Sequence, residues 1–187
     1  MFSLTTSDEK LINKALQGSQ RAWVSLVKRH EQRVYNHLLR MTGQQADAFD
    51  LMQEVFLAVY RNLPNYRGEG VFIGWVLRVA SNRALDQIRY KNRRPEAPLE
   101  SAGEEWQHSL SDNPAESLHI GQRRAAVLSL LGQLSPDLRL IMELKFFQQC
   151  TFDDIAQHMS IPVATAKTRF YTALKQLRGS MEVEDVI

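Results

Sequence analysis

WVLRVASNRALDQIRYKNRR, residues 75–94, combines an aromatic, an asparagine and a series of arginines at helical spacing. At about 100° per residue, Arg78, Asn82, Asp86, Arg89 and Arg93 all fall within about 60° of Trp75. Leu77, Ala80, Ala84 and Ile88 fall on the other side and form a core stripe. Arg supplies charge-assisted bonds to phosphate, Asn can pair with a base edge, and Trp offers a stacking face. The stretch therefore predicts an amphipathic helix whose polar side suits nucleic acid. An ordinary solvated basic face has the same pattern.

The same periodicity runs through the chain. Period-2 alternation with β-branched residues never persists, so an all-α protein is expected. Helices are predicted over 7–17, 19–42, 45–62, 71–92, 115–132, 136–148, 152–158 and 163–180. Ser7 caps the first, Gly18 stops it, and Gly43 parts the second from the third. Pro64, Gly68 and Gly70 break the chain before the opening helix.

The 187 residues suffice for two small domains, and 44% hydrophobic content supports real cores. No apolar run reaches the length of a membrane span, so no membrane insertion is expected. The N-terminus does not read as a secretory signal. The single cysteine, Cys150, excludes an internal disulfide and a multi-cysteine zinc site, and fits a reducing, cytoplasmic setting. Beside Phe146 and Phe147 it reads as a small buried hydrophobe.

The net charge of +2 is uneven. Residues 1–94 carry +7, residues 95–118 carry −6 with no Lys or Arg, and residues 119–187 carry +1. This points to a polyanion-binding first domain (1–94), an acidic, Pro-containing flexible linker (95–118) and a nearly neutral second domain (119–187). Trp106 and Leu110 are unusual for a passive tether and suit docking on a partner or a neighbouring domain.

Residues 151–178 have the pattern of a helix-turn-helix. Thr151 with Asp154 approximates a capping box, residues 159–161 make the turn, and Pro162 suits the start of the next helix. In that helix Val163, Ala166, Phe170, Ala173, Leu174 and Leu177 share one side. Thr165, Lys167, Thr168 and Arg169 give its N-terminal half the short polar and basic groups that a major-groove reader needs, and Lys175 extends them. A plain helical hairpin in a bundle is the alternative. One helix that reads duplex DNA and one that suits splayed strands belong together where DNA is being opened.

Four segments in order then resemble the extracytoplasmic-function (ECF) group of bacterial sigma factors, in the sigma-70 family. LVKRHEQRVYNHLLRMTG (26–43) and DAFDLMQEVFLAVYRNL (47–63) resemble the first helix and the polymerase-docking segment of sigma domain 2. YRGEGVFIGWVLRVASNRALDQIRYKNRR (66–94) resembles its melting and −10-reading segment. LSPDLRLIMELKFFQQCTFDDIAQHMSIPVATAKTRFYTALKQL (134–177) resembles domain 4, which reads the −35 box.

The resemblance implies an alternative sigma factor that binds core RNA polymerase, directs it to specific promoters and promotes melting. It implies no enzyme activity, catalytic residue, cofactor or metal of its own. Asp50, Gln53 and Glu54 share a helix face, and by resemblance that face, with Asp47 a turn earlier, binds the coiled coil of the beta-prime subunit. The beta flap and an anti-sigma factor are further implied partners.

Tyr66 and Phe72 would flank a flipped −10 base, with Gly68, Gly70 and Gly74 allowing close approach; for Phe72 and Trp75, packing in the core is the equal alternative. Asn82 would read that base's edge, while Trp75, Arg78, Arg89 and Arg93 complete the −10 contacts. Thr165, Lys167, Thr168, Arg169 and Lys175 would meet the −35 element. The chain departs from the family's pattern at Phe49, often Glu, at residues 164–166, often Gly-Thr-Val, and at Thr172 and Leu174, often Arg. Domain 4 is thereby poorer in phosphate contacts, and more falls to Lys167, Arg169, Lys175 and Arg178.

Two other readings compete. A helix-turn-helix regulator acting without polymerase predicts dimers and no need for the Asp50 face. A hydrolase or metal site at Asp47, Asp50 and Glu54, with His30, predicts metal-dependent turnover.

Overall fold

The computed structural model describes residues 7–68, 70–93 and 114–184, which form eight α-helices and no strand. The first four are α1 (Asp8–Leu16), α2 (Gln20–Thr42), α3 (Gln45–Asn62) and α4 (Phe72–Arg93). The second four are α5 (Pro114–Gly132), α6 (Pro136–Met142), α7 (Phe152–Met159) and α8 (Val163–Glu184). The acidic run and the docking role suggested for Trp106 and Leu110 lie outside the described residues. Helix α5 already begins at Pro114, inside the stretch assigned to the linker.

Helix α2 is the axis of the first domain. Leu26, His30, Val34, Leu38 and Met41 recur at three- and four-residue steps and are buried against α1, α3 and α4. Each fully buried aliphatic side chain there contributes about 1.5–3 kcal/mol. Helix boundaries follow local chemistry. The Ser7 and Ser19 side chains accept from backbone N–H groups of Lys10 and Ala22. Gly43 ends α2 at φ 77°, a left-handed conformation in which its N–H reaches the Leu39 carbonyl at 2.8 Å.

In the second domain α8 packs on α6 and α7. Leu140, Ile141, Leu144, Ile155, Ala166, Phe170 and Ala173 form its core. The helix expected over 136–148 is interrupted. After Met142 the backbone widens into a single π turn, Glu143–Phe147, closed by Gln148 N–H to the Glu143 carbonyl at 3.1 Å. The inserted width lets Glu143 and Leu144 both stay buried, while Phe146 and Phe147 emerge at the surface. Such turns recur at functional positions. Gln149 then takes a left-handed conformation at φ 56° and leads to the cap of α7.

The domains pack directly on one another. Arg139 of α6 donates to the Leu131 and Gly132 carbonyls at the end of α5, to the Leu134 carbonyl just beyond it, and to the Met41 carbonyl at the end of α2. One guanidinium thus satisfies helix C-terminal carbonyls from both domains.

Candidate nucleic-acid interface

Helix α4 divides as its sequence requires. Val76, Leu77, Ala80, Ser81, Ala84 and Leu85 are buried, and Arg78, Asn82, Arg89 and Arg93 are exposed together. Trp75 is half-buried at the start of that exposed stripe. Its ring lies 5.2 Å from Tyr66 and 5.9 Å from Phe72. Phe72 takes the core alternative of the sequence reading. At 3% exposure, stacked near His30 as well as Tyr66 and Trp75, it belongs to the core and supports the aromatic cluster from beneath. Of the three rings, Tyr66 and Trp75 are the half-buried ones.

The loop before α4 is shaped by Gly68 and Gly70, at φ 72° and 80°. Tyr66 Oη donates to the Gly70 carbonyl at 3.2 Å and draws the loop into a hook. Gly74 needs no such freedom. It sits in the first turn of α4, and a Cβ there would meet nothing within 4 Å. A cleft opens beneath the hook, lined by Arg33, Tyr66, Arg67, Trp75, Arg78 and His158 among others. Its walls combine aromatic faces with guanidinium groups, the pairing that grips single-stranded nucleic acid.

The helix-turn-helix is formed as expected. Thr151 Oγ1 accepts from Asp154 N–H, and the Asp154 carboxylate accepts from Thr151 N–H at 2.8 Å, completing the capping box. Hydrogen bonds from Thr151 hold the Asp154 carboxyl below the usual carboxylate range. Replacing Thr151 with Ala is expected to cost about 1 kcal/mol of second-domain stability, read as a lowered thermal midpoint. An unchanged midpoint would show that the cap is redundant. Ser160 closes α7 in a left-handed conformation, and α8 follows.

On α8, Ala166, Phe170 and Ala173 are buried, and Lys167, Thr168 and Lys175 are exposed. Thr165 and Arg169 are half-buried. The Thr168 and Thr172 hydroxyls donate back to the Ala164 and Thr168 carbonyls at 3.0 and 2.9 Å.

On α3, Asp50, Gln53 and Glu54 are exposed side by side, opposite a core stripe of Leu51, Met52, Val55 and Val59. Asp47, a turn earlier on α3, is held by Lys91 Nζ at 2.7 Å. His30, on α2, lies 2.9 Å from the Asp8 carboxylate. The four residues of the hydrolase reading therefore do not converge, and no group of three metal-ligating side chains assembles among the described residues.

Sequence reasoning missed a buried polar cluster between the domains. Glu143 is fully buried (0% exposed) and accepts from Arg40 at 2.5 and 2.9 Å, Gln148 at 2.9 Å and His37 Nδ1–H at 3.1 Å. Burial alone would push the Glu143 carboxyl up, but the His37 and Arg40 hydrogen bonds and charges outweigh it and hold it at about 2. Ser81 Oγ lies 3.1 Å from His37 Nε2 and 2.9 Å from His158 Nε2. The available signal was one acid inside the apolar run of residues 140–144.

Comparisons with known proteins agree on the architecture. A family model described as Sigma-70 region 2 matches residues 26–94, and one described as Sigma-70, region 4 matches residues 124–177. The chain is 29% identical to the RNA polymerase sigma-H factor of Pseudomonas aeruginosa, covering 94% of each. It is 27% identical to the ECF RNA polymerase sigma-E factor of Haemophilus influenzae, covering 94% of this chain and 96% of that one. In fold it is similar to the sigma factor RpoE of Bartonella quintana, solved with the anti-sigma factor NepR, with TM-score 0.63 and 17% identity over 84% of this chain and 94% of that one.

Proposed function

The chain belongs to the ECF group of the sigma-70 family and is an RNA polymerase sigma factor for transcription initiation, and from that premise we propose which of its surfaces does what. As a sigma factor it binds RNA polymerase and is not itself an enzyme. The exposed Asp50, Gln53 and Glu54 face takes the beta-prime coiled coil, because an acidic and amide surface suits a basic partner helix and orients its approach. The second domain reaches toward the beta flap. Asp47 acts through the fold, as the partner of Lys91.

The observation that carries the DNA reading is the coincidence on α4 of Asn82, Arg78, Arg89 and Arg93 with the Tyr66–Trp75 aromatic pair at its head. A base extruded from the −10 strand stacks against that pair, Asn82 hydrogen-bonds its edge, and the arginines hold the backbone. Extrusion costs a few kcal/mol, and only a base that regains it in the pocket is accepted. Thr165, Lys167, Thr168 and Arg169 enter the major groove at the −35 element, with Lys175 on the flanking phosphate.

No helix among the described residues is long and apolar enough to cross a membrane. Action on polymerase places the protein in the cytoplasm. The Bartonella quintana relative in fold is held by an anti-sigma factor, which supports a protein inhibitor here too.

The test adds the purified chain to sigma-free core polymerase and a promoter library and scores transcripts. Promoter-specific initiation is expected, and its absence would overturn the proposal. Asn82→Ala is expected to lower discrimination at one −10 position by about 1–3 kcal/mol while sparing core binding. Unchanged promoter choice would remove Asn82 as a base reader. A regulator acting alone would bind duplex DNA as a dimer and yield no such transcripts.

A further inference from the structure

Helix α1 precedes both segments matched by the family models, yet it is tied at two points to the loop that leads into α4. The single turn Leu63–Asn65, just before Tyr66, packs against α1. Tyr66 N–H closes that turn on the Leu63 carbonyl at 3.1 Å. At the other end of the loop stands Phe72, whose ring centroid is 5.6 Å from that of His30 on α2. His30 Nε2 in turn lies 2.9 Å from Asp8 Oδ2, in the first turn of α1. A carboxylate only accepts, so Nε2 carries the proton and donates.

His30 occupies a core position, in the buried row Leu26, His30, Val34 and Leu38 of α2. A buried imidazole costs free energy unless it is hydrogen-bonded, and an aliphatic side chain would fill the row without that requirement. Asp8 meets the requirement from across the α1–α2 turn. Its other oxygen takes Arg29 Nη1 at 2.6 Å, so the carboxylate is itself held from two sides. The bond to Asp8 fixes the plane of the ring that backs Phe72. Phe72 meets Tyr66 edge-on at 5.4 Å, and Trp75 completes the cluster 5.2 Å from Tyr66. Burial, and then the charge of Asp8, push the Tyr66 hydroxyl pKa up. That hydroxyl therefore keeps the proton it donates to the Gly70 carbonyl.

We propose that α1 is a brace for base capture: Asp8 orients the His30 ring, the ring backs Phe72, and the Tyr66–Trp75 pair is thereby held at the geometry that selects one −10 base. The inference rests on the assignment of that pair to the extruded base. Asp8 and His30 touch no DNA and act as positioning residues. A stacking site discriminates only while its rings keep the productive geometry to within about 0.5 Å. A loop with Gly68 and Gly70 in left-handed conformations does not supply that stiffness by itself. Anchoring the loop at both ends, on α1 directly and through His30, does.

The test uses the full chain with core polymerase and the promoter library, comparing the unaltered form with Asp8→Ala, His30→Ala, the two together, and Trp75→Ala. Transcript ratios at each promoter position report discrimination, separately for the captured −10 base and for the −35 element. Affinity for core polymerase and the thermal midpoint of the free chain are measured on the same preparations. A contact that only stabilises the fold would lower the midpoint and leave the transcript ratios as they are.

His30→Ala is expected to reduce discrimination at the captured base about fivefold, the lower end of what stacking on one aromatic contributes. Preference at the −35 element and affinity for polymerase should not change. Asp8→Ala should give a smaller loss in the same direction. Because both act through one ring, the double variant should lose no more than His30→Ala alone. Asp8 is only half-buried, so its variant keeps the inference testable if His30→Ala folds poorly. Unchanged discrimination at that base in the folded variants would overturn the brace, as would equal losses at the −10 and −35 elements, or losses that add in the double variant. If Trp75→Ala also leaves the −10 preference intact, the assignment of the aromatic pair to the base falls instead.

Discussion

Replacing Asp50 and Glu54 together with Arg is expected to abolish promoter-specific transcription while leaving the protein folded. Both side chains are exposed on α3, and the residues that hold the helix, Leu51, Met52, Val55, Phe56 and Val59, lie on its other side. Surface substitutions of this kind change stability by no more than about 0.5 kcal/mol. The contact of Glu54 with Arg83, at 3.9 Å between two exposed groups, adds almost nothing. Like charges set against a basic partner helix cost several kcal/mol, so affinity for core polymerase should fall by about a hundredfold or more.

Asp47 provides the contrast. Its side chain is only 17% exposed and is gripped by Lys91, so Asp47→Ala should act on the packing of α3 against α4 more than on polymerase. Equilibrium binding of labelled chain to sigma-free polymerase distinguishes the two. Undiminished affinity in the Asp50/Glu54 variant would show that polymerase docks elsewhere.

How much of this was legible in the sequence depends on the range of the interaction. Helix ends were readable because caps act within one turn: Ser7, Gly43 and the Thr151–Asp154 pair each do locally what their residue types predict. Buried faces were readable because the 3.6-residue period links apolar spacing to packing, as at Leu77, Ala80 and Ala84.

The π turn was not readable. It conserves apolar composition and depends on where Glu143 finds partners about a hundred residues away, in His37 and Arg40. Phe72 was ambiguous for a related reason. An aromatic at the head of a helix can face a ligand or the core, and its contact with His30 decides it. The arginines of α4 looked alike in sequence, yet Arg78 and Arg89 are engaged by the second domain. No single-helix pattern carries that information.

Acid is expected to loosen the packing between the domains, and His158 is the group through which it acts first. Its ring is enclosed between α7 and α4, 2.9 Å from Ser81 Oγ, with Asp154 one turn earlier on its own helix. Burial, and then the nearby His37 and Arg78, push its pKa down from 6.5 to about 4. The docked form therefore refuses a proton that the separated form accepts. Above pH 6.5 the ring is neutral in both forms and its contribution to docking is complete. As the pH falls from 6.5 toward 4 that contribution drains away, by at most about 3 kcal/mol at 1.4 kcal/mol per tenfold.

Glu143 works in a lower window. Its carboxyl, held at about 2 against an ordinary 4.5 by His37 and Arg40 despite its burial, supports docking above pH 4.5 and fails only toward pH 2. Between pH 6.5 and 4.5, then, His158 acts while Glu143 remains charged. Scattering from the free chain at pH 7.5 and pH 5 should show expansion at the lower value. His158→Gln keeps an N–H for Ser81 Oγ but cannot take the proton, so it should flatten the change over that window. If the variant expands with acid as fully as the unaltered chain does, His158 does not govern the opening, and the acid response must come from groups outside the α4–α7 contact.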